Sequence, residues 1–310
     1  MIPPAALQPV LAWVRRTEPA ALELACAEHP DPSRTGRASD VVRLTGCLSE
    51  LPLHVPLEML ALGARTVVLR LDGCTGAAAT REHLAPLETL APVLHPRGVR
   101  LATTPTGQRR RPVHDAAHMP LPRRALLLLS DDDGAPLPDP LLPSHERLRD
   151  ALAGLTGRPQ ASSADLTDLA GPGLDLVATG CEARGVCVRT CPEEALSLIT
   201  SDGTSTLTLD PSRCTGCGVC VAACDPQALT PVGRHPWSAL LGSPGRILAR
   251  VPTRTCRRCG APFTTSREET SLELCAVCAF RSATPFGSSV PPEALARLPR
   301  PVADRLRGAS

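Results

Sequence analysis

Cys214-Thr-Gly-Cys217-Gly-Val-Cys220-Val-Ala-Ala-Cys224 spaces four cysteines as Cys-x2-Cys-x2-Cys-x3-Cys. A second stretch, Cys181-Glu-Ala-Arg184-Gly-Val-Cys187-Val-Arg-Thr-Cys191, lies 33 residues upstream and repeats the pattern, with Arg184 at the place of Cys217. The match continues past the cysteines: Cys187-Val-Arg-Thr-Cys191-Pro-Glu-Glu-Ala-Leu196 aligns with Cys220-Val-Ala-Ala-Cys224-Asp-Pro-Gln-Ala-Leu229. Residues 174–232 therefore read as an internal duplication. Thiols at these short intervals demand a tightly wound loop, and Gly216 and Gly218 supply the positive φ values such winding needs.

The spacing is that of bacterial 4Fe-4S proteins, and residues 173–232 resemble the two-cluster bacterial ferredoxins. The resemblance implies an α+β ferredoxin-like dicluster domain in which the fourth cysteine of each run ligates the other run's cluster. One 4Fe-4S cluster then belongs to Cys191, Cys214, Cys217 and Cys220. A guanidinium stays protonated and only donates, so Arg184 leaves the second site three thiolates: Cys181, Cys187 and Cys224. The similarity to seven-iron ferredoxins, which lack this cysteine, implies a 3Fe-4S cluster there. A second 4Fe-4S cluster with a non-protein ligand and an empty site are the alternatives. The fixed charge of Arg184 is expected to raise the second cluster's potential. A structural zinc site could use the same thiolates but gives no reason for the duplicated spacing.

Cys256-Arg-Arg-Cys259-Gly260 and Cys275-Ala-Val-Cys278 are two Cys-x2-Cys knuckles separated by fifteen residues. This resembles a zinc ribbon, with Cys256, Cys259, Cys275 and Cys278 as the tetrahedral zinc ligands. Rubredoxin-type iron is the alternative, but the module has only Phe263 and Phe280 as aromatics and no Pro after Cys275. A module spanning only 254–281 needs a metal to fold, so a structural staple is the default and protein docking the functional reading.

Toward the N-terminus, residues 5–16 and 53–63 place apolar side chains at helical spacing, while 22–26, 41–45, 66–71 and 99–103 read as short buried strands. Alternating helix and strand favours a parallel sheet, hence an α/β domain over 1–130, to which 125–129 adds a further candidate strand. Residues 131–172 read as a Pro- and Asp-rich linker with one helix at 144–155, 233–253 as a second linker, and 282–310 as a tail. Three solitary cysteines, Cys26, Cys47 and Cys74, stand at or just beyond strand C-termini, which in an open parallel sheet share the ligand-binding edge. Cys47-Leu-Ser-Glu-Leu51, Leu57-Glu-Met-Leu60, Gly63-Ala64 and the run ending at Cys74 look like the small delta-type iron-sulfur subunit of hydrogenases and heterodisulfide reductases, over 40–104. That likeness implies a 2Fe-2S cluster held by more cysteines than are present, since Ala77 stands where another is expected. Three core thiols are the plainer reading, with His29 and His54 the nearest additional ligand types.

The 14 cysteines, in a chain whose opening Met1-Ile2-Pro3-Pro4 has no basic flank, point to metal ligation in a reducing, cytoplasmic setting. All 33 basic residues are Arg, and Tyr and Asn are absent, a bias that reads as genomic. With net charge +2 and basic runs no longer than Arg109-Arg110-Arg111, nothing predicts nucleic-acid binding, and no apolar stretch predicts membrane insertion. No phosphate loop, Ser-His-Asp set or carboxylate pair suggests an independent active site. The expectation is an iron-sulfur electron-transfer protein or redox-enzyme subunit whose redox partner is a larger oxidoreductase. A cluster-based redox or iron sensor, or an assembly adaptor acting through the ribbon, is the alternative.

Overall fold

The computed structural model describes residues 4–36, 39–120, 136–156, 163–224, 227–264 and 273–283. Its N-terminal layer is a parallel sheet of β1 (Ala21–Ala25), β3 (Ser39–Arg43), β4 (Thr66–Arg70), β5 (Gly98–Ala102) and β7 (Val113–Asp115), ordered β5-β4-β1-β3-β7. A two-residue ribbon pairs β2 (Arg34–Thr35) with β6 (Arg109–Arg110). The four strands expected at 22–26, 41–45, 66–71 and 99–103 form within two residues of those limits. The expected strand at 125–129 lies outside the described residues. β7 was not foreseen, because Val113-His114-Asp115 is three residues with one apolar side chain.

Alternation along β1 fixes which face is which. Leu22 and Leu24 point into a core shared with Val67 and Leu69 of β4. The same core takes in α1 (Gln8–Thr17), α2 (His54–Ala61), α3 (Ala77–Thr89) and α5 (Ser144–Thr156), while α4 (Ala91–Leu94) follows α3 directly. Glu23 points the other way, where its carboxylate accepts from Thr35 and Thr106 and pairs with the fully buried Arg70 at 2.9 Å. Arg70 also forks onto Asp72, with both contacts at 2.6 Å. On the helical side Arg147 of α5 grips Glu58 of α2 bidentately at 2.8 and 2.7 Å, a buried pair that locks the two helices together.

The second layer carries the duplication. In it β8 (Ala170–Ala178), α6 (Val186–Thr190) and β9 (Leu196–Ser201) are followed by β10 (Thr204–Leu209), α7 (Val219–Ala222) and β11 (Leu229–Pro236). The two halves interlock, since β8 pairs with β11 and β9 with β10, both antiparallel. The β9–β10 turn is Asp202-Gly203, with φ of 49° and 73°, as a two-residue hairpin prefers. Leu176, Leu196, Leu207, Leu209 and Leu229 form a compact core beneath the cysteines.

The stretch 233–253, read above as a linker, holds the end of β11, a 3-10 turn at Trp237–Leu241 and most of β12 (Arg246–Thr255). Trp237 is fully buried in the core of the N-terminal layer, where its indole N–H donates to Thr89 Oγ1 at 2.9 Å. Truncating such an indole to Ala costs about 3–5 kcal/mol. β12 pairs with β10 and with β13 (Pro262–Thr264), giving a sheet ordered β13-β12-β10-β9. The C-terminal knuckles thus hang on a strand of the duplicated layer, and α8 (Ala276–Ala283) closes them.

Candidate iron-sulfur and metal sites

The duplication is visible in the backbone, not only in the sequence. Ala183 and Gly216, Gly185 and Gly218, and Glu194 and Gln227 are 33 residues apart pairwise, and all six have φ between 49° and 75°. At Gly216 the demand is absolute: a Cβ there would lie 2.0 Å from the Pro172 carbonyl oxygen. These left-handed residues turn each loop so that backbone N–H groups face sulfur. Leu174 and Gly216 donate to Cys214, Val219 donates to Cys217, and Ala195 N–H lies 3.3 Å from Cys191 Sγ.

Cys191, Cys214, Cys217 and Cys220 line one small cavity, of about 20 Å³. Cys181, Cys187 and Cys224 line another, of about 270 Å³. Each cavity therefore collects its run's first cysteines together with the last cysteine of the other run. Burial pushes the Cys220 thiol up to about 12, with Cys214 and Cys217 adding their charge. It also raises Cys214, Cys217 and Cys187. Thiols that resist ionising alone, yet receive N–H donors, suit a cationic polynuclear centre that binds them as thiolates.

Arg184 lines the second cavity but does not plug it. Its guanidinium sits 2.6 Å from Glu182, with 53 % of the Arg184 side chain exposed. The sequence identified Arg184 as a non-ligand and gave no sign that Glu182 would neutralise it.

At the C-terminal end of the chain the ligand atoms of Cys256, Cys259, Cys275 and Cys278 all lie within 4.8 Å of one another, a closeness that no other group of potential ligands reaches among the described residues. Four thiolates around zinc at about 2.3 Å place their sulfurs about 3.8 Å apart, and Cys259 and Cys275 are 3.8 Å apart. The Cys275 N–H donates to Cys256 Sγ at 3.3 Å and, as the chief cause, draws that thiol down to about 6. Burial and the neighbouring thiols push Cys278 up to about 12. Gly260, with φ 72°, turns the first knuckle. The donor set fits a tetrahedral metal.

The structure also brings Cys26, Cys47 and Cys74 toward one another at the C-terminal edge of the parallel sheet, beside the switch point where the chain returns from β3 to β4 across β1. Burial raises the Cys26 thiol, helped by Cys74 and Cys47, and the Ser49 hydroxyl and N–H lower that of Cys47. His29 Nε2 lies 3.4 Å from Asp72, while His54 is buried in the core and held down to about 3 by that burial.

Residues 179–228 match the family described as the 4Fe-4S dicluster domain. The match covers both cysteine runs with β9 and β10, leaves β8 and β11 outside it, and supports an iron-sulfur electron-transfer function with a 4Fe-4S cluster for this part of the chain. No curated protein matches the chain. Among the described residues no helix is long and apolar enough to cross a membrane.

Proposed function

We propose that the chain is the electron-transfer component of a larger cytoplasmic oxidoreductase, with two clusters and one zinc. Cys191, Cys214, Cys217 and Cys220 hold a 4Fe-4S cluster, and Cys181, Cys187 and Cys224 hold a 3Fe-4S cluster. The observation that carries this reading is the pair of cavities lined by exchanged ligand sets. Each bound cluster supplies one-electron redox chemistry. The chain's own residues hold the sulfurs, aim N–H groups at them and exclude bulk water through Leu176, Leu196, Leu207 and Leu209. Cys217 is the most exposed ligand of the first set, which makes its side the shorter route for electrons to a partner.

Cys256, Cys259, Cys275 and Cys278 hold zinc as a structural staple at the end of β12. The parallel sheet, with Cys47 and Cys74 at its C-terminal edge, supports the likeness to delta-type subunits over 40–104, and with it a role for that layer in docking the partner enzyme.

The test is metal analysis of protein purified anaerobically, with EPR before and after dithionite. About seven irons and one zinc, a 3Fe-4S signal in the oxidised protein and a 4Fe-4S signal in the reduced protein are expected. About four irons with no oxidised signal would make the Arg184 site empty and the two-cluster carrier wrong.

A further inference from the structure

The first cluster site contains a carboxylate that ligation does not use. Glu193, two residues beyond Cys191, lines the same cavity as Cys217 and Cys220 and is only 9 % exposed. Glu193 is held from the other layer. Its Oε2 lies 2.7 Å from His145 Nδ1 and accepts the His145 backbone N–H at 3.1 Å, which makes it the acceptor for the first turn of α5. His145 is 3 % exposed, and α5 is anchored by the Arg147–Glu58 fork and by Leu148, Leu152 and Leu155 in the α/β core. The duplicated sequence has Pro226, not a carboxylate, at the place corresponding to Glu193.

A fixed negative charge in a poorly screened site opposes the arrival of an electron. A carboxylate free to swing into water would be screened and would oppose it less. Resting on the iron-sulfur reading above, we infer that Glu193 sets the potential of the first cluster and that His145 is the positioning residue that holds its charge there. The α/β layer thereby tunes one cluster and leaves the other alone.

The experiment is an EPR-monitored redox titration of the full chain with both signals followed, on wild type, Glu193→Gln, His145→Gln, His145→Phe and the His145→Phe/Glu193→Gln double variant. Glu193→Gln is expected to favour reduction of the first cluster about tenfold, or 59 mV for one electron. His145→Phe should shift it in the same direction by less, His145→Gln, which keeps a donor, by least, and the second cluster should not move in any variant. In the Glu193→Gln background, His145→Phe should have no further effect. An unmoved or lowered first potential in Glu193→Gln overturns the inference. So does a His145→Phe shift that persists in the double variant, or one that appears equally in the second cluster. A wild-type protein without the reduced signal defeats the iron-sulfur reading itself, whereas a wild-type signal with unmoved variants defeats only the role of Glu193 and His145.

Discussion

The two halves of the dicluster layer share one backbone and differ in what surrounds it. The second run has four cysteines, three of which, Cys214, Cys217 and Cys220, line a cavity of about 20 Å³ together with Cys191. The first run has Arg184 at the equivalent place and surrounds an opening of about 270 Å³. Yet the three left-handed positions recur at the same offset in both, and buried leucines repeat at Leu196 and Leu229. The loop geometry is therefore the same with Arg184 in the second position as with Cys217. Charge follows the same division. The first cluster site faces the constrained Glu193, whereas the second faces an Arg184–Glu182 pair that is half in water.

That division can be broken by removing a ligand from one half. Cys214→Ser should cost about four irons and the reduced signal, and leave the oxidised signal of the second site in place, as metal analysis with EPR would read. Restoring the missing ligand is the next largest change. Arg184→Cys should add about one iron and replace the oxidised signal with a second reduced one; an unchanged spectrum would mean the cavity cannot hold the fourth iron. Zinc removal should act outside the comparison. Cys275→Ser should abolish zinc binding and expose the amides of β13 to hydrogen exchange, with iron content unchanged. The smallest effects concern the exposed pair. Arg184→Ala should lower the second potential and Glu182→Gln raise it, each by less than tenfold in the reduction equilibrium, or 59 mV, because solvent screens both charges. Equal shifts in the first cluster would show that the two sites are not electrically separate.

Much of this was legible from cysteine spacing, since thiols at fixed intervals force one winding whatever surrounds them. The parallel strands were legible from their Val and Leu runs. Part of what escaped reading depended on contacts between residues far apart in sequence. Glu193 and His145 are separated by 48 residues, and either alone is an ordinary polar side chain. α3 was missed because Pro86 stands inside it, near the C-terminal end. Trp237 was hidden among the Pro and Gly residues that marked its segment as a linker, although a Trp in a chain with only two of them was a signal that the segment packs against something.

The exchange of the fourth cysteine is the claim on which both sites rest, and comparing Cys191→Ser with Cys224→Ser by EPR tests it most directly. With ligands exchanged, Cys191→Ser perturbs the reduced 4Fe-4S signal and Cys224→Ser the oxidised 3Fe-4S signal. The opposite pairing, Cys191→Ser acting on the oxidised signal and Cys224→Ser on the reduced one, would mean each run keeps its own cysteines and would contradict the account.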